Sequence, residues 1–163
     1  MRNLLEYLGI EKEVVEKAYS RRPANLSDML DLTCLNHPDK IALVEVNRRI
    51  SYRKLSALVE KFSYTLRYSY KVRKGDRIAI LLPNKIDYAV CYLAAVKAGA
   101  ISVSLNTRCS AAELHFMIED AEPKVLIVNH DLFVNIEAFA KNYFSPENII
   151  FSDQTKINDS SPL

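Results

Sequence analysis

The chain has 163 residues, a hydrophobic fraction of 49%, a charged fraction of 26% and a formal net charge of +2 at pH 7. That profile belongs to a globular domain and excludes a disordered, collagen-like or disulfide-stapled chain, while the near-balanced charge makes no global demand for nucleic acid or membrane. Only three glycines are present, Gly9, Gly75 and Gly99, and no two are close in sequence, so a dinucleotide fingerprint and a Walker-type phosphate loop are both excluded.

Residues 1–25 read as a helical N-terminal lead, divided at Gly9, in which Leu4, Leu8, Val15 and Ala18 share a face. Charge appears too early in this lead for a secretory signal. Pro23-Ala24-Asn25 breaks the chain, and Leu26 to Leu35 follows as a helix capped by Asn25 or Ser27. His37-Pro38-Asp39-Lys40 is turn chemistry. Ile41 to Val46 and Arg49-Ile50 then form a small hairpin about Asn47-Arg48. Ser51 caps a long helix reaching about Tyr70, with Leu55, Leu58, Val59, Phe62 and Leu66 on its inner side.

After the turn Arg73-Lys74-Gly75-Asp76, Ile78 to Leu82 is a short continuous apolar strand, as suits a parallel sheet covered on both faces. Ile86 to Ala98 is apolar on almost every side, which predicts a helix packed on more than one side. It closes in Lys97-Ala98-Gly99, a cation and a glycine suited to a helix C-terminus. Ile101 to Leu105 is a strand, and Ser110 to Glu113 is a capping box opening a helix to about Asp120. Val125 to Val128, Leu132 to Asn142 and Ile149 to Phe151 read as strand, helix and strand. The expected fold is therefore α/β: a small β-hairpin plus a doubly wound, mainly parallel sheet with helices on both faces. It occupies residues 26–152, and residues 153–163 are an irregular tail.

Cys34, Cys91 and Cys109 are odd in number, widely spaced and without a CxxC pair, which fits a reducing, cytoplasmic setting without structural zinc. The most apolar stretch, Ile86 to Leu105, carries Asp87 and Lys97 and falls short of the ~18 apolar residues of a spanning helix.

Several pieces of the middle of the chain resemble the ANL superfamily of adenylate-forming (AMP-binding) enzymes. Ile50-Ser51-Tyr52-Arg53-Lys54-Leu55 is similar to the opening segment of that family. Gly75 to Asn84, then Leu93-Ala94-Ala95-Val96-Lys97-Ala98-Gly99-Ala100, then Leu105-Asn106-Thr107-Arg108, follow in the family's order and spacing. His37 to Ala42 matches the usual lead-in. One departure is Val103-Ser104, where many relatives have Val-Pro; a strand exit without proline is tolerable and no function is assigned to it. Leu105-Asn106-Thr107-Arg108 favours the acyl-CoA ligase branch, whereas Phe116 to Ala121 suits an adenylation domain equally well.

The resemblance implies the N-terminal subdomain of a longer ATP-dependent acid–CoA ligase, which joins a carboxylic acid to AMP and then to the thiol of CoA. AMP turns a poor electrophile into a good one, and magnesium with cationic groups stabilises the developing phosphate charge. The family's glycine-rich phosphate loop, ribose-binding aspartate and catalytic lysine lie downstream, and the chain has no glycine after Gly99. The expectation is a chain without catalytic residues or metal ligands and without a cofactor of its own; ATP, magnesium and CoA belong to the intact enzyme. A complementation module that pairs with a separate C-terminal part is the alternative.

The candidate cofactor-binding residues are Asn106 and Arg108, which follow the C-terminal end of a strand where open α/β sheets bind ligands; turn and surface roles are the alternative. Cys109 beside Arg108 precedes a helix N-terminus, a setting that can activate a thiol, though an inert role is favoured. His37, His115 and His130 lie far apart without metal-ligand spacing. Arg48 to Arg77 holds ten basic side chains against Glu60 and Asp76, a local +8 that leaves −6 elsewhere. It reads as a solvated face and a charged turn, the alternative being an anionic partner such as membrane lipid. No recognised nucleic-acid motif is present.

Overall fold

The computed structural model describes residues 22–153. The lead at residues 1–21 and the tail at residues 154–163, including the helical face read at Leu4 to Ala18, lie outside the described residues. Local capping chemistry starts the helices where the sequence places them. In α1 (Leu26–Asn36) the Asn25 side chain accepts the Asp28 backbone N–H at 3.0 Å. In α2 (Tyr52–Tyr68) Ser51 does the same for Lys54 at 3.3 Å. Between them β1 (Ile41–Glu45) pairs antiparallel with β2 (Arg48–Ser51). Pairing of Glu45 with Arg48 places the turn at Val46-Asn47, one residue earlier than expected, because a two-residue loop closes this hairpin.

The chain then alternates strand and helix: β3 (Arg77–Leu81), α3 (Ile86–Lys97), β4 (Ile101–Ser104), α4 (Ala111–Ala121) and β5 (Val125–Val128). The capping box at Ser110 and Glu113 is formed in both directions. The expected helix Leu132 to Asn142 is instead two pieces, α5 (His130–Phe133) and α6 (Glu137–Tyr143). The cause is local tightening: the N–H groups of Asn135 and Ile136 donate three residues back, to Leu132 and Phe133. This turn sets Phe133, Ile136, Ala140 and Phe144 into one buried row. A 3₁₀ turn leads into β6 (Ile149–Phe151).

The four strands are parallel in the order β4-β3-β5-β6, so the chain steps one way from β3 to β4 and then crosses back to β5 and β6. Alternation along the strands splits the core. Ile78, Ile80, Val125, Ile127 and Ile150 face a cluster filled by α1, α2 and α3. Ala79, Leu81, Leu126 and Val128 face a second cluster filled by α4, α5 and α6. The fold is the expected doubly wound α/β arrangement, with helices on both faces. As its composition predicts, α3 is packed on more than one side, against α1, α2 and the sheet.

Polar ties lock these layers. Lys97 at the end of α3 reaches Asp31 of α1 at 2.8 Å and Glu60 of α2 at 3.1 Å. Burial alone would lower the Lys97 pKa, but the hydrogen bonds and charges of Asp31 and Glu60 outweigh it and hold the ammonium above its ordinary value. Arg77 donates to the carbonyls of Ala121 and Glu122 at 2.8 and 2.9 Å and so closes the negative end of α4. Asp76 accepts from Lys124 at 2.8 Å and from the Arg73 N–H at 2.8 Å.

The Lys124 hydrogen bond, then the Arg73 N–H, hold the Asp76 carboxyl below its ordinary value of 3.8. A depressed carboxylate pKa means stability that is present above the unfolded value and is lost as pH falls through the folded one. Asp76→Asn is therefore expected to cost about 1 kcal/mol at pH 7. Urea unfolding measured at successively lower pH should show the gap from the parent narrowing as the native Asp76 carboxyl takes up its proton. A gap that stays constant with pH would contradict this assignment.

Candidate functional site

The carboxyl ends of β3 and β4 open into a cleft of about 570 Å³, within the size range of small-molecule sites. One wall is the loop Leu82-Pro83-Asn84 after β3, with Tyr88 from the first turn of α3. The other wall runs from Ser104 at the end of β4 through Leu105, Asn106 and Thr107 to Arg108. The Tyr88 hydroxyl donates to Ser104 Oγ at 2.7 Å and joins the two walls. Buried Leu105, whose N–H donates to the Ile80 carbonyl at 2.9 Å, anchors the second loop to the sheet.

Both sequence candidates lie in this cleft. Asn106 shapes it: its side-chain oxygen accepts the Arg108 N–H at 2.9 Å and its carbonyl accepts the Cys109 N–H at 3.1 Å. That is an Asx turn, which leaves Arg108 exposed at the rim. The Arg108 guanidinium has no carboxylate partner among the described residues, so the cleft carries a cation presented to an incoming group. The lining holds no histidine, cysteine, lysine or carboxylate. What it offers is hydroxyl, amide and guanidinium groups for hydrogen bonding and anion attraction. Among the described residues no group of three or more His, Cys, Asp or Glu could hold a metal ion.

Sequence reasoning missed the Tyr88–Ser104 bridge. Ser104, to which the sequence reading assigned no function, carries the hydroxyl that accepts this bond. Tyr88 is half-buried, and its ring stacks near that of Tyr92 with centroids 6.4 Å apart. Cys109 packs half-buried against the second core cluster. Cys91 is fully buried, and burial pushes its thiol pKa far up, so it is inert.

The histidines stay apart. His37 ends α1, and His115 stacks on Phe139 with centroids 4.7 Å apart. His130 follows β5, stacks on Phe151 at 4.1 Å and lies 2.7 Å from an Asp153 carboxylate oxygen. Burial works to raise the Asp153 pKa, but the His130 hydrogen bond and local backbone N–H groups bring it below its ordinary value.

The two described glycines sit at the opposite edge of the sheet, in the turns that precede β3 and β4. Gly75 (φ +87°) and Gly99 (φ +83°) both adopt the left-handed conformation, and the Gly75 N–H donates to the Gly99 carbonyl at 2.9 Å. Both are occupied in making turns at the edge away from the cleft.

A parallel sheet with a hairpin beside it and a cleft at its carboxyl edge is the setting in which the family comparison falls. The chain belongs to the AMP-binding enzyme family, whose model matches residues 30–163. It is 26% identical over 118 residues to a long-chain-fatty-acid–CoA ligase of Haemophilus influenzae, covering 72% of this chain and 21% of that protein. It is 35% identical over 79 residues to the long-chain-fatty-acid–CoA ligase FadD13 of Mycobacterium tuberculosis, covering 48% of this chain and 16% of that one. The N-terminal domain of FACL13 from Mycobacterium tuberculosis superposes with a TM-score of 0.71 at 27% identity, covering 79% of this chain and 34% of that chain. The chain thus spans about a fifth of the length of these curated relatives and corresponds to their N-terminal part. Among the described residues no helix is long and apolar enough to cross a membrane.

Proposed function

We propose that this chain is the N-terminal scaffold of an ATP-dependent acid–CoA ligase of the cytoplasm, and that by itself it does not catalyse adenylation. The observation that carries the first part is the family match over residues 30–163 on a fold shared with an N-terminal ligase domain. In the intact enzyme a carboxylic acid, ATP with magnesium, and CoA are the reactants. The cleft contributes Arg108 as a cation for an anionic group of one of these, with Asn106 fixing the loop that presents it.

Catalytic silence rests on the chemistry of phosphate binding. A triphosphate is held by consecutive bare amides and a lysine, and the chain's glycines are three, isolated and, where described, used in turns away from the cleft. The cleft lining offers one cation and no lysine, histidine or carboxylate. The purified chain with ATP, magnesium and fatty or aryl acids is expected to show pyrophosphate exchange no faster than a boiled control. Clear exchange above that control overturns the reading.

The complementation reading finds less support than the sequence offered it. It drew on a nearly all-apolar helix and on a sheet that would be flanked by more chain; α3 packs against α1, α2 and the sheet, which weakens the first ground alone.

A further inference from the structure

The α2 helix buries Leu55, Leu58, Val59, Phe62 and Leu66 and turns its other side to solvent. On that outer side Tyr64 and Tyr68, one helical turn apart, are 58% and 56% exposed, and their rings stack with centroids 4.0 Å apart. Lys61 and Arg67 are exposed beside them, and exposed Lys71 and Lys74 continue the positive surface beyond the helix end. The acidic residue of this helix, Glu60, is drawn to Lys97, and no carboxylate among the described residues pairs with Lys61 or Arg67. Of the basic side chains between Arg48 and Arg77, Lys61, Arg67, Lys71 and Lys74 lie at this face or just beyond it, while Arg48, Arg53 and Arg77 are tied to Asp87, Asp39 and the end of α4.

A merely solvated helix face needs cations but not two exposed aromatic rings between them. Tyrosine and lysine or arginine together suit the boundary between water and lipid headgroups. The amphipathic rings settle at headgroup depth, and the cations are attracted to anionic lipid. The two rings close on each other at stacking distance, which leaves no gap for a nucleic-acid base. We propose that the outer face of α2 is a reversible docking surface for an anionic lipid bilayer, centred on Tyr64, Tyr68, Lys61 and Arg67.

The test is flotation of the full chain with vesicles of phosphatidylcholine alone or with roughly a third phosphatidylserine. The anionic vesicles are expected to take up at least about fivefold more protein at moderate ionic strength, and high salt should release it. Lys61→Glu or Arg67→Glu should each lower partition by about tenfold or more. Lys141→Glu on α6, across the sheet and with the same charge change, should leave it within about twofold. The paired change Tyr64→Ser and Tyr68→Ser should lower partition several-fold at unchanged charge. All these side chains are exposed, so unchanged melting curves serve as the folding control. Losses with Lys141→Glu equal to those on α2, or full retention after the tyrosine changes, would overturn the proposal. So would binding to an oligonucleotide that matches the vesicles and survives the tyrosine changes.

Discussion

Ile80→Ala is expected to lower stability by about 3–4 kcal/mol and the melting midpoint by roughly 10 °C. Ile80 lies in β3, flanked by β4 and β5, and is completely buried. Its side chain belongs to the cluster shared with Val90, Ala94 and Ala95 of α3, where rigid helix and sheet backbones cannot close around a lost branch. A domain of this size has about 5–15 kcal/mol in all, so one such truncation removes a large share. Urea and thermal unfolding followed by circular dichroism would measure it, with Val44→Ala, on an exposed hairpin position, expected to stay within about 0.5 kcal/mol. A loss at Ile80 no larger than at Val44 would mean that this face of the sheet is not tightly packed.

Gly99→Val is expected to cost about 2 kcal/mol for a different reason. A Cβ at Gly99 would meet Lys74 no closer than 3.5 Å, an ordinary contact, so there is room for the side chain. The penalty lies in the backbone, since φ +83° suits glycine and is worst for a β-branched residue. The turn cannot simply relax, because the Gly99 carbonyl receives the Gly75 N–H and the Ile101 N–H is held by the Asp76 carbonyl. Denaturant unfolding should show a lower midpoint at unchanged slope. Equal stability of the variant and parent would show that the turn can change its conformation freely. Glu122 shows what it takes for a larger residue to hold φ +46°: Arg77 grips its carbonyl.

Signals confined to a few neighbouring residues were legible in the sequence. The caps at Asn25, Ser51 and Ser110, the glycine after Lys97, and the apolar runs of β3 and β5 each state their structure locally, and the alternation of elements states the sheet. The turn at Val46 was misplaced by one residue because an apolar residue sits at its tip, 97% exposed, where a strand pattern would continue. The break in the expected helix Leu132 to Asn142 depends on three-residue hydrogen bonds that bring Ile136 inward, a choice made by the core and not by propensity. At the cleft, Asn106 and Arg108 could be found because they follow a strand end. Tyr88 and Ser104 meet only when α3 folds back, and a bond across 16 residues has no local pattern.

The hairpin does more than fill space beside the sheet. Glu45 accepts the otherwise uncapped Ile86 N–H at 3.5 Å, and Arg48 reaches Asp87 at 3.1 Å, so both strands of the hairpin clasp the start of α3. Two residues further along, that same first turn sets the tyrosine that spans the cleft. One carboxylate and one guanidinium of the hairpin thus hold the helix turn on which one wall of the cleft stands.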